Sequence, residues 1–204
     1  MKKYLLLLVL LLLGVVWSRI HCYNPWHWIR EMLPVILGVA ILIKTFNRFR
    51  FTYLTYVVVL ISCFFILVGA KYTFSRVPFF LELTRPLGFE RNNFDKVGHF
   101  LQGVLPVLIS RELFLRKGVL KRSWVGFISF CIALATTATY EIIEYITCLI
   151  AGKNIESFVG TQGFFWDTHT DMLAALLGAL FVLLFLSRYH NSMMRKEFNF
   201  FVSN

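Results

Sequence analysis

Apolar residues in this chain run in long blocks, and polar residues are confined to short stretches between the blocks and to a few positions inside them. A water-soluble core needs no such blocks. A hydrocarbon layer about 30 Å thick calls for roughly 20 mainly apolar residues per spanning helix, fewer where flanking side chains snorkel. Six blocks meet that demand, at about residues 4–20, 31–44, 51–70, 95–115, 124–151 and 167–187. The pattern predicts an all-α polytopic transmembrane bundle of about six spans, a single integral membrane domain over residues 1–204.

The first block follows Lys2 and Lys3, as a signal peptide would. The bulky Trp17 between Val16 and Ser18 makes a poor cleavage site and further spans follow, so it is read as a retained span. The second is the weakest: a polar stretch with Trp26, Trp28 and Arg30 leads into it, and Pro34 is placed near its start, where proline is tolerated.

Composition agrees: 58% of the residues are hydrophobic. The formal charge of +10 is carried by short clusters between apolar blocks rather than along one solvated face, which argues for topology and against a nucleic-acid partner. With Lys2 inside and six spans, segments 1–3, 44–50, 111–123 and 188–204 are cytoplasmic and hold 13 of the 21 Lys and Arg residues, with both termini inside. The remaining basic residues are spread over longer outer loops mixed with Glu82, Glu90, Asp95, Glu156 and Asp167. Cys22, Cys63, Cys131 and Cys148 have no paired spacing; a Cys22–Cys148 bridge on the outer side is left open.

Ionisable groups inside a span cost roughly 2.5–3.5 kcal/mol each on insertion scales, so those that occur need a reason. Asp95 and His99 stand four apart in DKVGHF, Glu141 and Glu144 three apart in YEIIEY, and Asp167 and Asp171 four apart in FWDTHTDM. Each spacing puts its pair on one helical face, and the topology puts all three pairs in the outer half of the membrane. Gln102, Thr137 and Cys148 extend these polar stripes. The expectation is an outward-facing pocket built from Asp95, Gln102, Asp167 and Asp171 beside Glu141, Glu144 and His99.

Five carboxylates and an imidazole in a small dry volume need neutralising. The candidates are a divalent cation at Asp95, His99, Glu141, Glu144 and Asp171, a proton shared by the two glutamates, or the basic residues Lys71, Arg91, Lys96 and Arg111. These ligand types favour an oxygen-loving ion such as Mg, Mn or Ca over zinc. Plainer roles stand beside these: Asp95 and Asp167 as helix N-terminal charges, His99 as a hydrogen-bonded interior histidine, Trp26, Trp28 and Trp166 as interface anchors. Glu141 and Glu144, in mid-span, have no capping role to play.

Small residues four apart, Ala174 with Gly178 and Ala175 with Ala179, allow close helix contact on the sixth span. The aromatic loop from Lys71 to Phe94 is expected along the outer interface. Gly160 and Gly163 in FVGTQGFFWD permit a turn or a lid before the last acidic helix start.

The segments RNNFDKVGHFLQG, Arg111-Glu112, YEIIEY and FVGTQGFFWDTHTDMLAALLGA, in that order, resemble a family of bacterial inner-membrane proteins typified by YjdF. The resemblance implies a six-span inner-membrane protein with no assigned activity. It also implies His at the place of Lys71 and Asp at the place of Phe164, so this chain lacks two potential ligands. The order Asp-His, Glu, Asp is distantly similar to VanZ-type membrane proteins.

Three functional readings follow. One is a membrane protein whose acidic pocket binds a cation or a polar envelope substrate; as an enzyme it would use Glu141 or Glu144 as general acid or base with His99, oriented by Asp95, as partner. No Ser or Cys nucleophile motif accompanies them. Another is a small proton- or ion-coupled transporter, with Pro106 as a place to break a helix. The third is a structural protein whose polar residues only fix helix packing. The lipid bilayer is the expected partner; protein partners are left open.

Overall fold

The computed structural model describes residues 1–88, 90–151 and 164–200. All regular structure among them is helical: α1 (Lys2–Arg19), α2 (Pro25–Thr45), α3 (Tyr53–Tyr72), the short α4 (Phe80–Thr84), α5 (Phe94–Lys117), α6 (Arg122–Ala151), and α7 (Asp167–Phe181), which runs through a π-helical turn (Val182–Leu186) into α8 (Ser187–Phe198). Four stretches are long and apolar enough to cross a membrane: Pro25–Thr45, Tyr53–Tyr72, Arg122–Ile150 and Asp167–Phe198. The other two long helices are α1, with Lys2, Lys3 and Arg19 within its 18 residues, and α5, with Asp95, Lys96, Arg111, Glu112, Arg116 and Lys117.

Helix ends follow local chemistry. α2 starts at Pro25, earlier than its apolar block, because the Asn24 side chain accepts from the Trp26 and His27 amides (2.9 and 3.2 Å) and proline fits the first helical position. Trp26, Trp28 and Arg30 are thus helical, and Pro34 stands well inside α2 rather than near its start. Lys71 Nζ donates to the carbonyls of Trp17 and Ile20 and closes the C-terminus of α1. Gly118, at φ 65°, ends α5 with its amide on the Phe114 carbonyl. The four cysteines are free, so the Cys22–Cys148 bridge does not form.

Two apolar cores result. Leu11, Met32, Val35, Cys63 and Leu67 join α1, α2 and α3; Val104, Val107, Leu108, Ala133, Ala179 and Val182 join α5, α6, α7 and the π-turn. The closest approach is α5 on α7. A Cβ added at Gly103 would lie 1.9 Å from the Ala175 carbonyl oxygen, and one at Gly178 would lie 2.0 Å from that of Phe100. The packing face of α7 is therefore Ala175, Gly178 and Ala179, all buried, with Ala174 to one side. Pro106 lies within an unbroken α5. Phe94 stacks on Phe65 with ring centres 3.9 Å apart, tying the aromatic loop to α3. The Gly160–Gly163 turn lies outside the described residues.

Candidate functional site

α5 and α7 begin at the same end of the bundle, where α6 finishes, so their polar first turns face its last third. Burial is deep: Asp171 is 4%, Asp167 6%, Glu141 7% and His99 8% exposed.

Lys96 occupies the centre of the aspartates. Its Nζ donates to Asp167 Oδ1 at 2.6 Å and Asp171 Oδ1 at 2.8 Å and lies 3.5 Å from Asp95 Oδ2. Arg91 Nη2 donates to Asp167 Oδ1 at 2.6 Å and Asp95 Oδ2 at 3.2 Å. These two residues supply the neutralisation expected of basic partners. Lys71 and Arg111 do not: Lys71 caps α1, and Arg111 sits at the far end of α5 against His190 and Asn191.

A second group is less well matched. His99 Nδ1 lies 3.5 Å from Glu141 Oε1, and His99 Nε2 lies 3.6 Å from Asp171 Oδ1. His99 Nδ1 and Glu141 Oε1 nonetheless lack a hydrogen bond, as do Gln102 Oε1 and the fully buried Thr137 Oγ1, although Gln102 stands beside His99 and Thr168 beside Glu141. A buried polar atom without a partner costs about 1–3 kcal/mol, more for a charged one, and most native sites avoid it. One donor atom each from His99, Glu141 and Asp171 lies within 4.8 Å of the others, as it does for Asp95, Asp167 and Asp171. Either triplet has the spacing to share one ion.

Glu144 belongs to a different neighbourhood. It lies within electrostatic reach of Arg30 and Glu31 on α2 as well as of Glu141. Arg30 Nη2 is 2.7 Å from His27 Nδ1 and 3.3 Å from the buried Glu31 carboxylate. These α2 residues were not among the sequence candidates; the i, i+4 spacing of His27 and Glu31 in a tryptophan-rich stretch was the available signal.

The opposite end of the bundle holds a network that sequence reasoning also missed. Glu112 is fully buried and accepts from the Thr52 amide and Arg116 through Oε1 (2.8 and 2.7 Å), and from Thr52, Thr55 and His190 through Oε2 (3.0, 2.9 and 3.0 Å). His190 lies 78 residues away in the chain, so no local spacing announced it. Both carboxylate oxygens of Glu112 are matched, whereas the Glu141 site is not.

Comparison with known proteins agrees with this architecture. The family model described as "Predicted membrane protein (DUF2238)" matches residues 3–192. The inner membrane protein YjdF of Escherichia coli (strain K12) is 39% identical over 187 residues, covering 91% of this chain and 90% of that protein. No solved structure matches. A match that runs through nearly the whole chain, in a fold made of long apolar helices, places this protein in the DUF2238 family of membrane proteins.

Proposed function

We propose that this protein is a six-span component of the bacterial inner membrane, with both termini cytoplasmic, whose outward-facing pocket binds a cation between α5, α6 and α7. In this reading α1 and α5 span with the four more apolar helices. At 1.5 Å per residue, the 18 residues of α1 reach about 27 Å and the 24 of α5 about 36 Å, against a hydrocarbon thickness of about 30 Å. The clustering of Lys and Arg at the end holding Lys2, Lys44, Arg116 and Arg122 supports a cytoplasmic location for that end. Residues 1–204 then form one integral domain.

The observation that carries the cation is the mismatch at His99 and Glu141. Among the described residues, four carboxylates (Asp95, Glu141, Asp167, Asp171) meet only two permanent cations, Arg91 and Lys96, and both of these serve the aspartates. The unmatched charge sits where buried His99 and Glu141 atoms lack partners. A divalent ion held by one imidazole and two carboxylates satisfies both deficits, and that mixed donor set suits Mn²⁺ ahead of Mg²⁺ or Ca²⁺. Gln102 and Thr137 are placed to hydrogen-bond a ligand or ion-bound water. Pro106 leaves α5 continuous, so the broken-helix argument for a carrier gains no support from it.

The test is elemental analysis of detergent-purified protein, wild type against His99→Ala and Glu141→Gln, each checked for folding by circular dichroism. Stoichiometric divalent metal in the wild type and its loss from both folded variants is the expected result. Metal-free wild type after growth and purification in Mn²⁺ would overturn the reading and leave these residues a packing role.

A further inference from the structure

At the end of the bundle away from the acidic site, three helices leave an apolar groove. α1 and α2 touch at one level, where Trp28 Nε1 donates to Ser18 Oγ at 3.0 Å, and again where Leu11 packs with Met32 and Val35. Nearer the N-terminus of α1 they enclose a cavity of about 510 Å³ between Leu5 and Leu8 of α1 and Val39 and Ile43 of α2, floored by Val59 and Leu60 of α3. Its mouth is bordered by Lys2 and Asn47. Lys44 and Arg48 directly follow the lining residues Ile43 and Asn47, and all three cationic residues are exposed. None of the three pairs with an acidic side chain among the described residues, in contrast to Lys3, which lies 3.7 Å from Glu197.

The dimensions and charge identify the occupant. From Lys2 to Leu11 the groove follows nine residues of helix, about 14 Å, the depth of one leaflet rather than of the bilayer. Between spanning helices there is no hydrophobic force to close such a gap, and an empty apolar cavity forfeits the dispersion contacts of its walls. An acyl chain restores those contacts, and Lys2 at the mouth, with Lys44 and Arg48 next to lining residues, attracts an anionic headgroup. We infer that the groove between α1, α2 and α3 binds one acyl chain of an anionic phospholipid, with the headgroup phosphate held at Lys2, Lys44 and Arg48. This inference does not depend on the cation site.

Native mass spectrometry of the full-length protein tests it, after exchange in mild detergent against phosphatidylethanolamine and phosphatidylglycerol. The wild type is expected to retain one phosphatidylglycerol. Leu8→Trp, which fills the groove, is expected to lose it, and Leu173→Trp on the exposed face of α7 is expected to keep it. The triple variant Lys2→Gln, Lys44→Gln, Arg48→Gln changes only exposed residues and is expected to lose the preference for phosphatidylglycerol. A wild type that retains neither lipid, retention by Leu8→Trp equal to wild type, or an unchanged preference in the triple variant would each overturn the inference. Should Leu8→Trp not fold, the triple variant decides alone.

Discussion

His99 Nδ1 and Glu141 Oε1 stand 3.5 Å apart on facing helices, both buried and neither hydrogen-bonded. On the proposed reading, these two atoms are joined by a bound cation rather than by a bond to each other. Glu141→Gln removes the unmatched charge while keeping shape. Thermal stability in detergent is expected to hold or rise, and divalent-cation binding, followed by elemental analysis, is expected to disappear. A variant that melts markedly lower with its metal intact would show that Glu141 acts through packing.

Lys96 is the built-in counter-ion of three aspartates. Lys96→Met is expected to destabilise the protein by about 3 kcal/mol, the lower end for a broken buried pair, since the lysine side chain keeps 19% exposure. The variant also leaves Asp95, Asp167 and Asp171 with donor atoms mutually within 4.8 Å. Added Ca²⁺ or Mn²⁺ should therefore raise its melting temperature more than that of the wild type. Equal shifts in the two proteins would speak against the aspartates as an ion-sharing set.

Gly103 and Gly178 set the distance between α5 and α7. Gly103→Ala drives a methyl group to 1.9 Å from a backbone carbonyl, which no rotamer relieves. A loss of about 3 kcal/mol or more is expected, at the upper end for overpacking. Gly38→Ala on α2, where nothing lies within 4 Å of the new methyl, should be neutral or add up to about 1 kcal/mol. Thermal melts of the two variants side by side make the comparison.

Glu112 provides a control at the other end of the bundle. Glu112→Ala strands His190, Arg116 and the Thr52 amide and should cost about 3–5 kcal/mol, while metal content per folded molecule stays at the wild-type level. Metal loss in this variant with folding preserved would tie the two ends together, against the reading of Glu112 as a local structural anchor.

Topology is open to reporter insertion at two turns. A reporter active only in the cytoplasm is expected to work at Gly118, after α5, and to fail at Gly88, between α4 and α5. The reverse pattern would invert the proposed orientation and move the acidic site to the cytoplasmic side.

By itself the sequence determined that this is a helical membrane protein, because hydrocarbon imposes length and apolarity on a segment without reference to its neighbours. It also determined that Asp95 with His99 and Asp167 with Asp171 share helical faces, since a spacing of four is local geometry. Tertiary structure alone decided which charges meet. It placed Lys96 among the aspartates, sent Lys71 and Arg111 elsewhere, brought Arg30 and Glu31 within reach of Glu144, and joined Glu112 to His190. The physical reason is that Gly103 and Gly178 let α5 and α7 approach to backbone contact, fixing an axial register that no single helix encodes. Across α5 and α6 the fold likewise sets His99 against Glu141, with the facing atoms of the two left unmatched.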